Sequence, residues 1–248
     1  MHNKLQLNED KTELMLFSNL SQLAQLPPCP TIAQSEVTFT DSVRNLGVIV
    51  DKNLSMKGHV SKVCQLCYLE LRRIGSVRRY LSPEATKTLV TSFVLSRIDY
   101  CNSLLVGLPN SLLQQLQKIQ NSAARLICHV PARENITPAL YSLHWLPVSL
   151  RIQYKIATIC FHIINNTAPP YLCDLLQLYS PSRELRSAAD NRIFRIPSTH
   201  KKTKGDRAFS YAGPVIWNNL PFSVRHAEDS VSFKAQLKTY LFSTHFDT

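Results

Sequence analysis

The sequence predicts a mainly α-helical protein: a small β-element, then a helical bundle, then a second helical region carrying a basic loop. Three observations predict this. Apolar residues recur every three or four positions over Val60, Val63, Cys67, Leu71, Ile74, Val77 and Leu81, the stripe that one face of a helix buries. Ser82-Pro83-Glu84 then offers an N-cap, a first-turn proline and a first-turn acid, which stops one helix and starts another. Only 6 Gly stand against 14 Pro, and no glycine cluster fits a Rossmann or P-loop turn.

Taken in order, residues 11–17, 36–40 and 46–50 read as short strands, with Pro27, Pro28 and Pro30 breaking the chain between the first and the other two. So few strands rarely fold alone, so further chain is expected upstream of Met1. The first helix starts near Met56. The second, over 83–106, is apolar on most sides (Leu89, Val90, Phe93, Val94, Leu95, Ile98, Leu104, Leu105) and is expected to be the central one. Pro109-Asn110 punctuates, and a third helix presents Leu112, Leu116, Ile119, Ala123 and Leu126 on one face. Short connections between three helices predict a bundle. Pro131 and Pro138 interrupt before a helix at 148–165, and a last helix at 230–242 carries Val231, Phe233, Leu237 and Leu241. The expected divisions are 1–55, 56–130 and 131–248, with a mobile or partly extended basic loop at 180–207.

The formal charge is +11, and it is uneven. Residues 1–57 hold 5 Lys/Arg against 6 Asp/Glu, whereas residues 58–248 hold 23 against 11. Such an asymmetry points to a polyanion partner for the later part. On the first helix, Lys62, Arg72, Arg73, Arg78 and Arg79 lie off the apolar stripe. They can displace counterions from a nucleic-acid backbone, or simply keep a helix soluble. Residues 183–207 add eight cations against three anions, among them Arg192, Arg195, Lys201, Lys202, Lys204 and Arg207. Phe194, Phe209, Tyr211 and Trp217 interleave with them, either to stack on bases or to pin the segment to a core.

Catalytic and metal sites are not expected. The acidic pairs Glu9-Asp10 and Glu228-Asp229 do not sit at a strand turn that could seat two ions, and they read as solvated. Cys64 and Cys67 form a CxxC on the apolar stripe, with His59 nearby but no second ligand pair, so core packing is favoured. Seven cysteines, an odd number, read as thiols of a reducing compartment. The N-terminus reads as no signal peptide and no stretch nears the roughly 18 apolar residues of a span. The expectation is an intracellular protein, nuclear or cytoplasmic, away from membranes.

At this point a family resemblance enters. Asn8-Glu9-Asp10-Lys11-Thr12-Glu13, followed by Leu14-Met15-Leu16-Phe17, resembles the segment after the catalytic aspartates in reverse transcriptases of non-LTR retrotransposons (LINE elements), especially jockey-like and chicken-repeat-like ones. Asn45-Leu46-Gly47-Val48 is similar to the primer-grip strand of that palm. Arg97-Ile98-Asp99-Tyr100-Cys101-Asn102, Leu116-Gln117-Lys118-Ile119-Gln120-Asn121 and Leu143-His144-Trp145-Leu146-Pro147-Val148 resemble blocks of its thumb and C-terminal region. So do Gly205-Asp206-Arg207-Ala208-Phe209-Ser210, Trp217-Asn218-Asn219-Leu220-Pro221 and Phe233-Lys234.

The resemblance implies a palm remnant at 1–55 and a thumb-like bundle at 56–130. It makes Lys11 the lysine after the active-site turn and Leu46, Gly47 and Val48 the primer grip. The partner it implies is RNA or DNA, as a template–primer duplex. The Tyr-x-Asp-Asp turn is absent from these residues, so Mg2+ belongs only to the complete parent enzyme and the chain is expected not to polymerise alone. A truncated element copy is the expected origin. Two other readings remain: a domesticated helical module that docks a protein through an apolar face, and a small hydrolase for which no site is found.

Overall fold

The computed structural model describes residues 8, 11–17, 31–32, 35–36, 38–180, 191–199 and 202–246, the side chains of 31–32, 35–36 and 202 excepted. Glu9, Asp10, Cys29, Lys201 and residues 181–190 of the expected basic loop lie outside them. The fold is mainly helical, with small antiparallel β-elements near the start. The chain divides into two compact units, residues 1–62 and 63–248.

In the first unit, β1 (Thr31–Ile32) pairs with β2 (Ser35–Glu36), and β3 (Ser42–Asn45) with β4 (Val48–Asp51), both antiparallel. Residues 11–17 form no strand; Leu14 makes a single bridge to Phe39. The third expected strand starts two residues late. Leu46 and Gly47 are the loop of the β3–β4 hairpin, with φ of 46° and 86° and Asn45 paired to Val48. Two positive φ values suit a type I′ turn, whose twist matches the flanking strands. Gly47 accepts its value without strain.

The Asp51 carboxylate closes this unit. It accepts hydrogen bonds from the backbone N–H groups of Asn53, Ser55 and Met56 and from Ser55 Oγ, at 2.9–3.0 Å. Burial alone would raise its pKa; the hydrogen bonds from Ser55, Met56 and Asn53 outweigh that and hold it below the ordinary 3.8. These bonds set the start of α1 (Lys57–Val77).

The second unit is built on α6 (Val148–Ile164), which buries Ile152, Ile156, Ala157, Cys160, Phe161 and Ile163. Helices α3 (Ser96–Asp99), α4 (Asn110–Cys128), α9 (Phe209–Asn218) and α11 (Ser230–Phe246) all pack on it. The segments 56–130 and 131–248 therefore share one core, since α4 belongs to the first and α6 to the second. Phe233 of α11 stacks on Phe161 at 4.3 Å between ring centroids, and Trp217 of α9 leans on Phe233 at 5.7 Å.

The expected central helix at 83–106 is not central. It begins as predicted: Ser82 Oγ accepts from the Ala85 N–H at 3.1 Å and Pro83 opens α2 (Pro83–Val90). A π-turn at 91–95 leads into α3, and the helix ends at Asp99 because Cys101 turns left-handed, φ 52°. A 3₁₀ turn, Asn102–Leu105, then lies on α6. Thr86, Val90, Val94 and Ile98 form the buried row, while Phe93 and Leu104 are about half exposed. The all-round apolarity came from two elements with different inner faces.

The remaining helices are α5 (Thr137–Ser142), α7 (Pro170–Cys173), α8 (Lys202–Gly205) and α10 (Phe222–Arg225). Glycine is scarce, and other residues close the helices. His144 (φ 54°) ends α5 in a Schellman pattern, with its own N–H on Tyr141 O at 2.9 Å and the Trp145 N–H on Leu140 O at 3.0 Å. Asn166 ends α6 in the same way. Among the described residues, no helix is long and apolar enough to cross a membrane.

An Asp51→Asn variant tests the closure of the first unit. A carboxyl whose folded pKa is lowered stabilises above its ordinary pKa and loses that contribution as pH falls through the folded value. Amide hydrogen exchange at residues 48–57 should therefore be faster in Asp51→Asn by a constant factor well above pH 3.8, and the gap should close below it.

Candidate nucleic-acid interface

The expected cations separate into two populations. Arg78 is committed to structure: its Nη2 donates to Ile127 O at 3.1 Å and its Nη1 lies 2.8 Å from His129 Nδ1, closing the C-terminus of α4. Arg192 donates to Arg225 O at 2.9 Å. Arg207 packs over Gly107, where an added Cβ would meet its Cγ at 2.7 Å, and its Nε donates to Val106 O at 3.3 Å. None of these three can leave its carbonyl without leaving a part-buried acceptor poorer.

Lys62, Arg72, Arg73 and Arg79 are exposed, the first three on α1 and Arg79 in the 3₁₀ turn that follows it. Arg73 pairs with Glu70 at 3.1 Å, an exposed i,i+3 pair of small net worth. Arg72 makes no hydrogen bond or ion pair with the described residues. Arg79 sits over the ring of Tyr80, 4.7 Å from its centroid, and Tyr80 is 73% exposed. Tyr68, 45% exposed, lies one turn before Arg72 and so on the same face.

The aromatic residues singled out from the sequence sit elsewhere. Phe194 and Trp217 are buried, and Trp217 Nε1 donates to Arg192 O at 2.6 Å. The side chain of Asn218 takes both backbone groups of Phe194, at 2.8 and 3.0 Å, as a neighbouring strand would. Residues 177–179 pair with 193–195 on the other side. The described part of the basic loop, 191–199, is thus extended and pinned, and pinning rather than base stacking is the role of Phe194 and Trp217. Arg195 and Lys204 are exposed there; Lys202 lies in α8.

The primer-grip candidates are dissimilar: Leu46 and Gly47 are exposed at the hairpin tip, and Val48 is buried. Lys11 is exposed in a turn whose N–H reaches Asn8 O at 3.3 Å. Asp229 of the second acidic pair caps α11, accepting from the N–H groups of Val231 and Ser232 at 2.6 and 2.9 Å. Cys67 is fully buried, its Sγ 3.7 Å from Val94 O, and burial pushes its thiol up to about 11. Among the described residues no three His, Cys, Asp or Glu side chains converge on one point.

Two of the motif blocks are held by α4. Gln120 Nε2 donates to Leu146 O at 2.8 Å, and Gln117 Oε1 accepts from the Val148 N–H at 2.9 Å. Asp99 of a third block receives Arg151 Nε at 2.7 Å and Arg151 Nη2 on its other oxygen. These residues meet beside a cleft of about 540 Å³ lined by Lys87, Asp99, Asn102, Arg151, Tyr154, Lys155 and Lys238. Sequence reasoning missed its lysines, which come from α2, α6 and α11.

No protein-family model, curated protein or solved structure matches this chain. The geometry of its own residues carries the functional argument.

The separation of the cations is testable by stability. Arg78→Met should lower the unfolding free energy by roughly 1–3 kcal/mol through the orphaned carbonyl. Arg72→Met should stay within about 0.5 kcal/mol of the parent. Denaturant titration of both variants measures the difference; equal effects would contradict the assignment.

Proposed function

We propose that this chain is the C-terminal part of a non-LTR retrotransposon reverse transcriptase and that it holds a template–primer duplex or single strand by its backbone. In this reading residues 1–55 derive from the palm and α1 belongs to the thumb. The chain positions nucleic acid and does not itself add nucleotides, since its 248 residues contain no adjacent aspartates to seat two metal ions.

The observation that carries the reading is two neighbouring pairs along the chain, Tyr68 with Arg72 on one face of α1 and Arg79 over Tyr80 in the turn that follows it. They combine exposed guanidinium groups with exposed aromatic rings, the pairing that strand-binding surfaces use for phosphates and base faces. Lys62 adds a further exposed cation on the same helix. Such an interface discriminates poorly among sequences and strongly among salt concentrations.

A second reading, a helical module that docks a protein, is favoured by a different surface. Tyr171, Leu175, Leu178, Tyr179 and Ile196 are all exposed around α7 and the 193–195 pairing. Under that reading nucleic-acid affinity is absent, or indifferent to salt.

The affinity of the chain for a labelled RNA–DNA duplex, measured across salt concentrations, decides between them. A parent that binds with a steep negative slope of log K against log salt supports the first reading. The triple variant Arg72→Ala/Arg73→Ala/Arg79→Ala should then flatten that slope by roughly three units, about one per lost phosphate contact. An unchanged slope in the triple variant contradicts it.

A further inference from the structure

The cleft at α2, α6 and α11 is distinct from the two pairs on and after α1 and belongs wholly to residues 63–248. Its charge is one-sided. Among its lining residues, Lys87, Arg151, Lys155 and Lys238 face a single carboxylate, Asp99. The three lysines come from three different helices, so their meeting is a property of the fold and not of a charged run.

The floor is preorganised. Asp99 grips Arg151 through Nε and Nη2, which leaves Nη1 unpaired among the described residues and the guanidinium fixed in place. A cation held in this way need not be ordered again when a ligand arrives. Lys155 follows Arg151 by four residues and rises from the same face of α6.

Asn102 adds an observation that charge does not explain. It is 4% exposed, its Nδ2 reaches Asp99 Oδ1 at 3.4 Å, and its Oδ1 has no partner among the described residues. A buried acceptor without a donor is unfavourable, having given up water for nothing in return. The lining therefore offers cations for an anionic group, and the Asn102 acceptor lies buried behind it, to be reached by a ligand hydroxyl or amino group only as the side chain turns toward the cleft. Tyr154 and the exposed His144 supply ring surface on the wall. A volume of about 540 Å³ is the size of a small-molecule site.

We infer that this cleft binds a phosphorylated nucleotide: the phosphates lie among Lys87, Lys155, Lys238 and Arg151, and a sugar hydroxyl or base amino group donates toward Asn102. The nucleotide is free or is the end of a strand; the chemistry is the same. The inference goes beyond the proposed function and does not require α1.

The test uses the full chain and two probes, ATP followed by calorimetry and a fluorescein-labelled ten-nucleotide oligothymidylate followed by anisotropy. The variant Lys155→Glu/Lys238→Glu is compared with Lys118→Glu/Lys234→Glu, which makes the same charge change at exposed lysines outside the cleft lining. The cleft variant should lose at least tenfold in affinity for one or both probes, and the control less than threefold. Loss for ATP alone identifies a free nucleotide, loss for the oligonucleotide alone a strand end, and loss for both a shared site.

If the glutamate variant shows a changed circular dichroism spectrum, Lys155→Gln/Lys238→Gln gives the same comparison. Equal losses in cleft variant and control, or no binding of either probe, overturn the inference. Arg72→Ala/Arg73→Ala/Arg79→Ala should leave ATP affinity unchanged, which keeps a failure of the α1 reading separate from a failure of this one.

Discussion

The second unit depends on the burial of α6. This helix is apolar on so much of its circumference that no single neighbour can cover it. Helices α3, α4, α9 and α11 and the 102–105 turn each take a share. Covering it draws together segments more than a hundred residues apart, and it fixes where the polar blocks of the sequence fall. Gln117 and Gln120 can reach the 146–148 backbone only because α4 lies against α6. Arg151 can reach Asp99 only because α3 does. The cationic cleft is a by-product of that packing: lysines on α6, on α11 that covers it, and on α2 that packs against α4 end up around one depression.

A second constraint is the shortage of glycine. Among the described residues, seven other than glycine take positive φ, including His129, His144 and Asn166 at helix ends. Arginines do related work by donating to backbone carbonyls: Arg78 to Ile127, Arg125 to Glu134 at 2.8 Å, Arg192 to Arg225 and Arg225 to Leu220. Part of the positive charge is thereby tied to the fold. The net charge therefore overstates the surface available to a polyanion.

Periodicity made the helices legible. The stripe from Val60 to Ile74, the Ser82 cap and the helices α4, α6 and α11 are local signals and are found, although Val231, read with the apolar residues of α11, is exposed. What failed was tertiary. Leu46 and Gly47 read as strand because apolar alternation cannot register a hairpin loop. Residues 83–106 read as one central helix because apolarity counts buried faces without saying how many elements share them. Of the two roles the sequence left open for Phe194 and Trp217, pinning to the core is the one found: Phe194 meets Trp217 edge-on, and Trp217 leans on Phe233. Lys87, Lys155 and Lys238 carried no signal, being successively 68 and 83 positions apart on helices whose mutual packing no local pattern encodes.

In the proposed function, the exposed Tyr68 and Arg72 of α1 and the Arg79–Tyr80 pair after it meet nucleic acid directly. Ultraviolet cross-linking of the full chain to a radiolabelled RNA–DNA duplex, with the adducts mapped by peptide mass spectrometry, asks this without any substitution. Adducts at Tyr68 or Tyr80, competed away by unlabelled duplex, are the predicted result. Adducts confined to peptides outside 62–80, at a duplex concentration that saturates binding, would contradict it.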